Sequence, residues 1–348
     1  MRTVFQIADV FSAGMEDRLG AIDDKGTVCI FGGDNADSDQ AAFTPNILSW
    51  IPGSDPVDTG DDIDVAADGL GLAQLGVAFD SSAGVFVIFG GKYRDAGDDV
   101  EAVDLIQTYD FDAGTQATKT STTTTVRFGV AAAYSSAQGK TYTFGGQTAA
   151  ANVYGVCYTE IASYIVGTDT FAAIAGQTLN TVTAHAVAVY VPKQDAIYVF
   201  GGWDATNGIN EIHKFDCATE TVSQLTAVCP YLAEGMAAYY NPEDGLIYVF
   251  GGAERGPVVY HDDIWTFNPV THEVTTLDFT LPKAMDDFFG VWRSGGVGYL
   301  IGTLPAGADD NQTALQKQNV KVVKGDEMRV RYNKGLIRGL IQWFRTRY

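Results

Sequence analysis

Short apolar runs ending in glycine recur along the chain. They are Val28-Cys29-Ile30-Phe31-Gly32-Gly33, Val85-Phe86-Val87-Ile88-Phe89-Gly90-Gly91, Thr141-Tyr142-Thr143-Phe144-Gly145-Gly146, Ile197-Tyr198-Val199-Phe200-Gly201-Gly202 and Ile247-Tyr248-Val249-Phe250-Gly251-Gly252. A degenerate sixth copy is Val297-Gly298-Tyr299-Leu300-Ile301-Gly302. The phenylalanines closing the intact copies lie 58, 55, 56 and 50 residues apart, and Ile301 follows after 51. β-Branched and aromatic runs this short, stopped abruptly by glycine, predict strands rather than helices. The glycine pairs predict positive φ and close backbone approach, which a Cβ would block.

A second apolar stretch and a turn precede each run. Ala186-Val187-Ala188-Val189-Tyr190-Val191 leads into Pro192-Lys193-Gln194-Asp195, and Met236-Ala237-Ala238-Tyr239-Tyr240 leads into Asn241-Pro242-Glu243-Asp244-Gly245. Such turns suit tight hairpins. A polar loop follows each glycine pair, then a third strand and another turn, as in Phe111-Asp112-Ala113-Gly114-Thr115, Phe215-Asp216-Cys217-Ala218-Thr219 and Phe267-Asn268-Pro269-Val270-Thr271. Each period of about 50 residues therefore encodes four antiparallel strands.

These copies resemble the kelch repeat, with its small apolar inner strand, aromatic-rich second strand and double glycine. The resemblance covers residues 1 to about 332. It implies an all-β fold, a six-bladed propeller of four-stranded antiparallel blades like the central propeller of galactose oxidase, with a short C-terminal extension. A lone blade exposes two apolar faces, so closing the ring is what stabilises it. Residues 3–20 align without gaps to 273–290, matching Val4 to Val274 and Met15-Glu16-Asp17-Arg18-Leu19-Gly20 to Met285-Asp286-Asp287-Phe288-Phe289-Gly290. Thr3-Val4-Phe5-Gln6-Ile7 is thus expected as the outer strand of the sixth blade. The competing arrangement takes both outer strands from a hairpin of Asn319–Val323 and Met328–Tyr332. The expected domains are a propeller over 1–332 and a tail over 333–348.

Composition changes the picture mainly through charge. Among 348 residues, 43 acids against 22 Lys and Arg give a net charge of −21. A general nucleic-acid-coating role is disfavoured, because phosphates would meet a like-signed surface. Residues 317–348 nevertheless carry nine Lys/Arg against Asp326 and Glu327, so the rest of the chain holds −28. In the tail, Leu336, Ile337, Leu340, Ile341 and Phe344 recur at helical spacing, with Arg338, Trp343 and Arg345 among them. A closed propeller has no vacancy for that face. The expected occupants are its own acidic body, a partner protein or neighbouring subunit, and, least favoured, an anionic membrane.

No apolar run approaches the ~18–20 residues of a membrane span, and the start lacks the apolar stretch of a signal peptide. A cytoplasmic protein, or part of an assembled particle, is expected. Cys29, Cys157, Cys217 and Cys229 match no zinc or redox spacing and read as buried thiols, a Cys217–Cys229 disulfide being the minor alternative. No cofactor and no metal is expected. The acidic runs Asp58–Asp64 and Asp95–Glu101 fit no calcium-loop register.

By position in the kelch pattern, the loops after the glycine pairs and those entering the inner strands line one face. The resemblance makes Tyr93, Arg94, Trp203, Asp204 and Arg255 candidate binding residues. Arg18 and Arg127 each precede a glycine by two residues and are candidates for the central channel. His185, standing where Gly129 and Gly235 stand in other copies, is also a candidate contact, although a hydrogen-bonded core histidine is the blander reading. The expected function is a non-enzymatic module presenting propeller loops to a protein or glycan and tethered to a larger assembly by its basic tail. The acidic, Ala/Thr-rich body suits an exposed assembly, such as a virion or cell surface. With so few residues ahead of the first inner strand, a fused BTB or F-box segment is not expected. The alternative is a carbohydrate-active enzyme resembling single-domain kelch-type sugar mutarotases, with Glu234 and Arg127 as the acid–base candidates.

Overall fold

The computed structural model describes residues 2–7, 17, 19–35, 42–52, 54, 56–64, 71–95, 99–150, 153–255, 257–281, 284–293, 297–302 and 319–324, the first and last of these ranges as backbone. Six sheets of four or more antiparallel strands are found among them. In the first, the inner strand Leu19–Ile22 pairs with Val28–Phe31, followed by Asn46–Trp50 and the outer strand Val57–Asp62. The second repeats that order with Gly76–Asp80, Val85–Phe89, Leu105–Asp110 and Thr115–Thr122. The fourth and fifth do the same, beginning with Val187–Val191 and Ala237–Asn241. In the third, Val153–Ile165 and Thr170–Thr183 are unusually long, and Gln147–Ala150 pairs beside them as a fifth strand. Helix among the described residues is confined to two 3-10 turns, Val166–Thr168 and Pro192–Gln194.

The inner hairpins turn where the polar residues stand. In the fifth sheet Asn241 pairs with Leu246, and the Asn241 side chain accepts the Glu243 N–H at 2.9 Å. Gly245 completes that turn with φ +74°, a backbone that L side chains rarely adopt. The second strands are the most deeply buried elements, with Val28, Cys29, Ile30 and Phe31 all at 0% exposure. Covered on both faces by neighbouring sheets, they read in sequence as continuous apolar runs.

Between sheets, one face of each inner strand packs on the opposite face of the next. Ala131 and Ala133 cluster with Ala186, Ala188 and Tyr190. Val187 and Val189 cluster with Ala238 and Tyr240, and Ala237 and Tyr239 with Trp292. The series closes on itself: Phe289, Val291 and Tyr299 of the sixth sheet share a cluster with Val28, Ile30 and Trp50 of the first. The Trp50 and Tyr299 rings meet edge to face, 5.2 Å between centroids. Six blades around one axis are the result.

The glycine pairs form the joint between blades. The Cα of Gly90 abuts the carbonyl oxygen of Arg127, and the N–H of Gly91 donates to that same oxygen at 2.9 Å. Gly33 donates equivalently to Leu72, Gly146 to Thr183, Gly202 to Ala233 and Gly252 to Met285, at 2.7–2.9 Å. Each acceptor lies at the entry to the next blade, so a side chain on the first glycine would push two blades apart.

The sixth blade draws on both ends of the described chain. Phe289–Arg293 pairs with Val297–Ile301, which pairs with Asn319–Lys324, which pairs in turn with Arg2–Ile7. Val4 stands opposite Val322, and Ile7 opposite Asn319. The Met328–Tyr332 segment of the competing hairpin and the whole of residues 333–348 lie outside the described residues, as does the 1–332 boundary.

All four cysteines are free and buried, so Cys217 and Cys229 form no disulfide. They belong to different apolar clusters. Burial pushes the Cys157, Cys217 and Cys229 thiols up to about 12, which keeps them protonated and unreactive.

Candidate functional site

Two residues before each inner strand, the chain adopts a left-handed backbone. The six positions are Asp17 (φ +56°), Gln74 (+53°), Gly129 (+62°), His185 (+55°), Gly235 (+63°) and Asp287 (+49°). They are joined by main-chain hydrogen bonds from blade to blade. Gln74 donates to Asp17 at 3.1 Å, Gly129 to Gln74 at 2.8 Å, and His185 to Gly129 at 2.8 Å. Gly235 then donates to His185, and Asp287 to Gly235, both at 3.0 Å. This hoop encircles one mouth of the central channel. Four non-glycine residues held at positive φ in one ring are uncommon, and such backbone persists only where the surroundings fix it.

The hoop side chains interlock. The Gln74 amide donates to Asp17 Oδ1 at 2.9 Å, while Lys92 Nζ lies 3.2 Å from Asp17 Oδ2. His185 lies over Gly129, and Asp287 over Gly235. One residue earlier, Glu234 is 5% exposed and pairs with Arg255, which also reaches Asp286 Oδ2 at 3.4 Å. Lys92 and Arg255 come from the segments after the glycine pairs, and backbone bridges Ala73–Lys92 and Glu234–Ala253 hold those segments against the entries.

Four carboxyl groups thus share the mouth with two cations, a balance that sets their ionisation. Burial, then the charges of Asp17, Asp286 and Glu234, hold the Asp287 carboxyl well above the usual carboxylate range. Burial also pushes Asp286 up to about 6, against the opposing pull of Arg255. His185 is displaced downward, chiefly by burial, and is neutral at physiological pH. The mouth therefore holds two adjacent carboxyl groups, Asp286 and Asp287, that keep their protons to higher pH than a carboxylate ordinarily does.

Below the hoop, all six inner strands enclose a cavity of about 520 Å³. Its waist, three residues on from each hoop position, is small: Gly20, Val77, Ala132, Ala188, Ala238 and Gly290. Its far rim, two residues further, is large: Ile22, Phe79, Tyr134, Tyr190, Tyr240 and Trp292.

The candidates drawn from sequence fall in different places. Arg18 lies outside the described residues, as do Leu336, Ile337, Arg338, Leu340, Ile341, Trp343, Phe344 and Arg345 of the tail. His185 and Arg255 stand at the mouth. Tyr93 and Arg94 lie on the hairpin Lys92–Arg94/Val100–Ala102, with the Arg94 guanidinium 5.8 Å from the Phe43 ring. Trp203 pairs through its backbone with Ala184, and the Asp204 carboxylate accepts the N–H groups of Thr206 and Asn207 within its own turn.

Arg127 corrects the expectation of a channel-facing arginine. It is 1% exposed and sits inside the joint between blades. Its guanidinium bonds the Gly145 carbonyl at 3.0 Å, Thr124 and Thr125, and pairs with Glu160 at 3.0 Å. The sequence alignment misled here because Gly20 lies within its inner strand whereas Gly129 is a hoop residue. Asp17, Gln74, Asp286 and Asp287 were not singled out from sequence as site residues. The one signal was the recurrence of an acidic pair in the aligned segments Met15-Glu16-Asp17 and Met285-Asp286-Asp287. The Asp58–Asp64 run forms structural contacts, including Tyr109 OH to Asp61 at 2.8 Å and Thr118 to Asp64 at 2.6 Å. No group of three potential metal ligands occurs among the described residues.

Comparison with known proteins adds family and fold. No curated protein matches the chain. A solved structure described as that of YjhT aligns over 89% of this chain and 94% of its own, with a TM-score of 0.68 at 15% identity. That likeness is one of fold. The KLHDC2/KLHL20/DRC7 Kelch-repeats domain matches residues 76–287, from the inner strand of the second blade to the last hoop residue. With more than half its length matched and the glycine joints in place, the chain belongs to the kelch-repeat β-propeller family.

Proposed function

We propose that the protein is a non-enzymatic interaction module that presents its hoop-side face to a protein partner or a glycan, and that residues 333–348 tether it to a larger assembly. Kelch-repeat propellers in general mediate protein–protein interaction, and the fold supports that role. The observation that carries the reading is the convergence of entry and post-glycine segments at one end of the ring. They bring Lys92, His185, Glu234, Arg255 and Asp286 together on a rigid main-chain hoop. Variable side chains on a fixed scaffold are what a docking face requires. The test is association with the native assembly, followed by cross-linking, for the chain, an Arg255→Glu variant and a truncation ending at Tyr332. Loss in Arg255→Glu with an unchanged melting temperature supports face docking. Retention by the truncation removes the tail as tether.

A second reading, a carbohydrate-active enzyme, is favoured by one feature: Asp287, whose carboxyl is held well above the usual carboxylate range by burial and neighbouring charge, stands with Glu234 and Asp286 around one opening, as acid–base chemistry would require. Arg127 has no part in it, being locked in the joint. Anomer exchange of candidate sugars, followed by NMR in the chain and in Glu234→Gln, decides it. Equal rates in the two proteins remove this reading.

A further inference from the structure

The neck and the cavity beneath it make a polarised container. At the neck, a space of about 50 Å³ is lined by Asp17, Gln74, His185 and Asp287, with Leu19, Val130 and Ala186 shared with the larger cavity. Gln74 Oε1 is a buried acceptor without a hydrogen-bond partner. Asp17 and Asp287 add carboxyl oxygens, and the charges around them are Lys92, Glu234, Arg255 and Asp286. Among the described residues, carboxyl groups outnumber cations there by four to two. Beneath the neck the lining side chains are apolar for about 16 Å, five strand residues, down to the aromatic rim, with polar main chain of the innermost strands exposed between them.

We propose that this channel binds an amphiphilic primary amine, its ammonium held at the neck by Asp17, Gln74 and Asp287 and its apolar body lying along the alanine-rich waist. The ammonium brings three N–H donors to a place short of them, and its charge relieves the repulsion among four neighbouring carboxyl groups. An apolar body displaces water that the alanine, valine and glycine walls cannot hydrogen-bond through side chains. A carboxylate head would bring another acidic group to a neck already crowded with them, and an alcohol would bring no positive charge to it. Entry is from the aromatic rim, the wider end. Because the ammonium favours ionised Asp287, binding releases protons wherever the free protein holds that carboxyl protonated. The site is independent of the docking face proposed above, since a partner on the outer face need not enter the channel.

The test uses the full chain with hexylammonium, 1-hexanol, hexanoate and methylammonium as probes, followed by titration calorimetry and thermal melting. Hexylammonium is expected to bind roughly tenfold to a hundredfold more tightly than 1-hexanol, with hexanoate and methylammonium weaker than both. Its binding heat should vary with the ionisation enthalpy of the buffer. Asp287→Asn should remove the preference for the amine while leaving 1-hexanol binding in place, which shows that the variant is folded. Ala188→Phe, which fills the waist, should weaken both. Equal affinity for amine and alcohol, absence of hexylammonium binding, or an undiminished preference in Asp287→Asn overturns the proposal.

Discussion

The imidazole of His185 occupies the space that a side chain on Gly129 would need: a Cβ built on Gly129 falls 2.9 Å from Cε1 of His185. The two residues are consecutive members of the hoop, linked by the His185 N–H to the Gly129 carbonyl at 2.8 Å. Glycine at 129 is therefore required twice, by its positive φ and by its neighbour. Gly129→Ala is expected to destabilise the protein by about 2–4 kcal/mol in urea unfolding. Combined with His185→Ala, the steric part disappears, so the double variant should fall short of the sum of the single costs by about 1–3 kcal/mol. Strict additivity would show that the ring and the glycine do not compete for space.

Arg127 and Glu160 supply a second prediction. The arginine side chain is 2% exposed, and its burial displaces its ionisation downward while Glu160 opposes that shift. Removing the guanidinium takes the Arg127 donor from the Gly145 carbonyl and leaves Glu160 with the Thr124 hydroxyl in place of its cation. Arg127→Ala should cost about 3–5 kcal/mol, read as a lower urea midpoint, with no change in any binding that survives.

The acidic mouth gives a pH dependence of definite sign. Asp286 is raised from 3.8 to about 6, so the folded protein holds its proton where the unfolded chain has lost it. Its contribution to stability is complete below about pH 4 and disappears as pH rises through about 6. Asp287, also raised, chiefly by burial, contributes in the same direction. Buried His185 and His213, both displaced downward, act oppositely on the acid side of their ordinary value. Comparing the protein with Asp286→Asn cancels the histidines. The variant should gain relative stability between pH 4 and pH 7, measured by urea unfolding at each pH. A difference independent of pH would contradict this assignment.

Ring closure is testable at the Trp50–Tyr299 contact. Trp50 is 1% exposed, and it joins the third strand of the first blade to the second strand of the last. Trp50→Ala is expected to cost about 3–5 kcal/mol. Deleting residues through Ile7 leaves Asn319–Lys324 as a bare edge and should lower the melting temperature and promote association. Light scattering and calorimetry measure both.

The blades were legible because their joints constrain residue type. The Phe-Gly-Gly closing five of the six second strands reflects a close backbone contact that a side chain would block, as at Gly90 against Arg127. The hoop was not legible, since it constrains conformation rather than type. Asp17, Gln74, Gly129, His185, Gly235 and Asp287 share a positive φ and almost no chemistry. Aligning on glycine therefore placed Arg18 and Arg127 as equivalents, although Arg18 follows a hoop position and Arg127 precedes one. The pairing of Glu234 with Arg255 brings an entry segment beside the post-glycine segment of its own blade, and that of Asp17 with Lys92 brings the entry of the first blade beside the post-glycine segment of the second, neither of which sequence spacing announces.

The linkage from Asp17 round to Asp287 is made of peptide groups alone. Substitution at Asp17, Gln74, His185 or Asp287 changes the lettering on the collar without cutting it, provided the newcomer accepts the left-handed turn, whereas Gly129 and Gly235 are held to glycine by the neighbours lying over them. Recognition in such a protein can drift quickly between relatives while the wheel beneath stays the same, so kinship of shape at 15% identity says little about shared appetite.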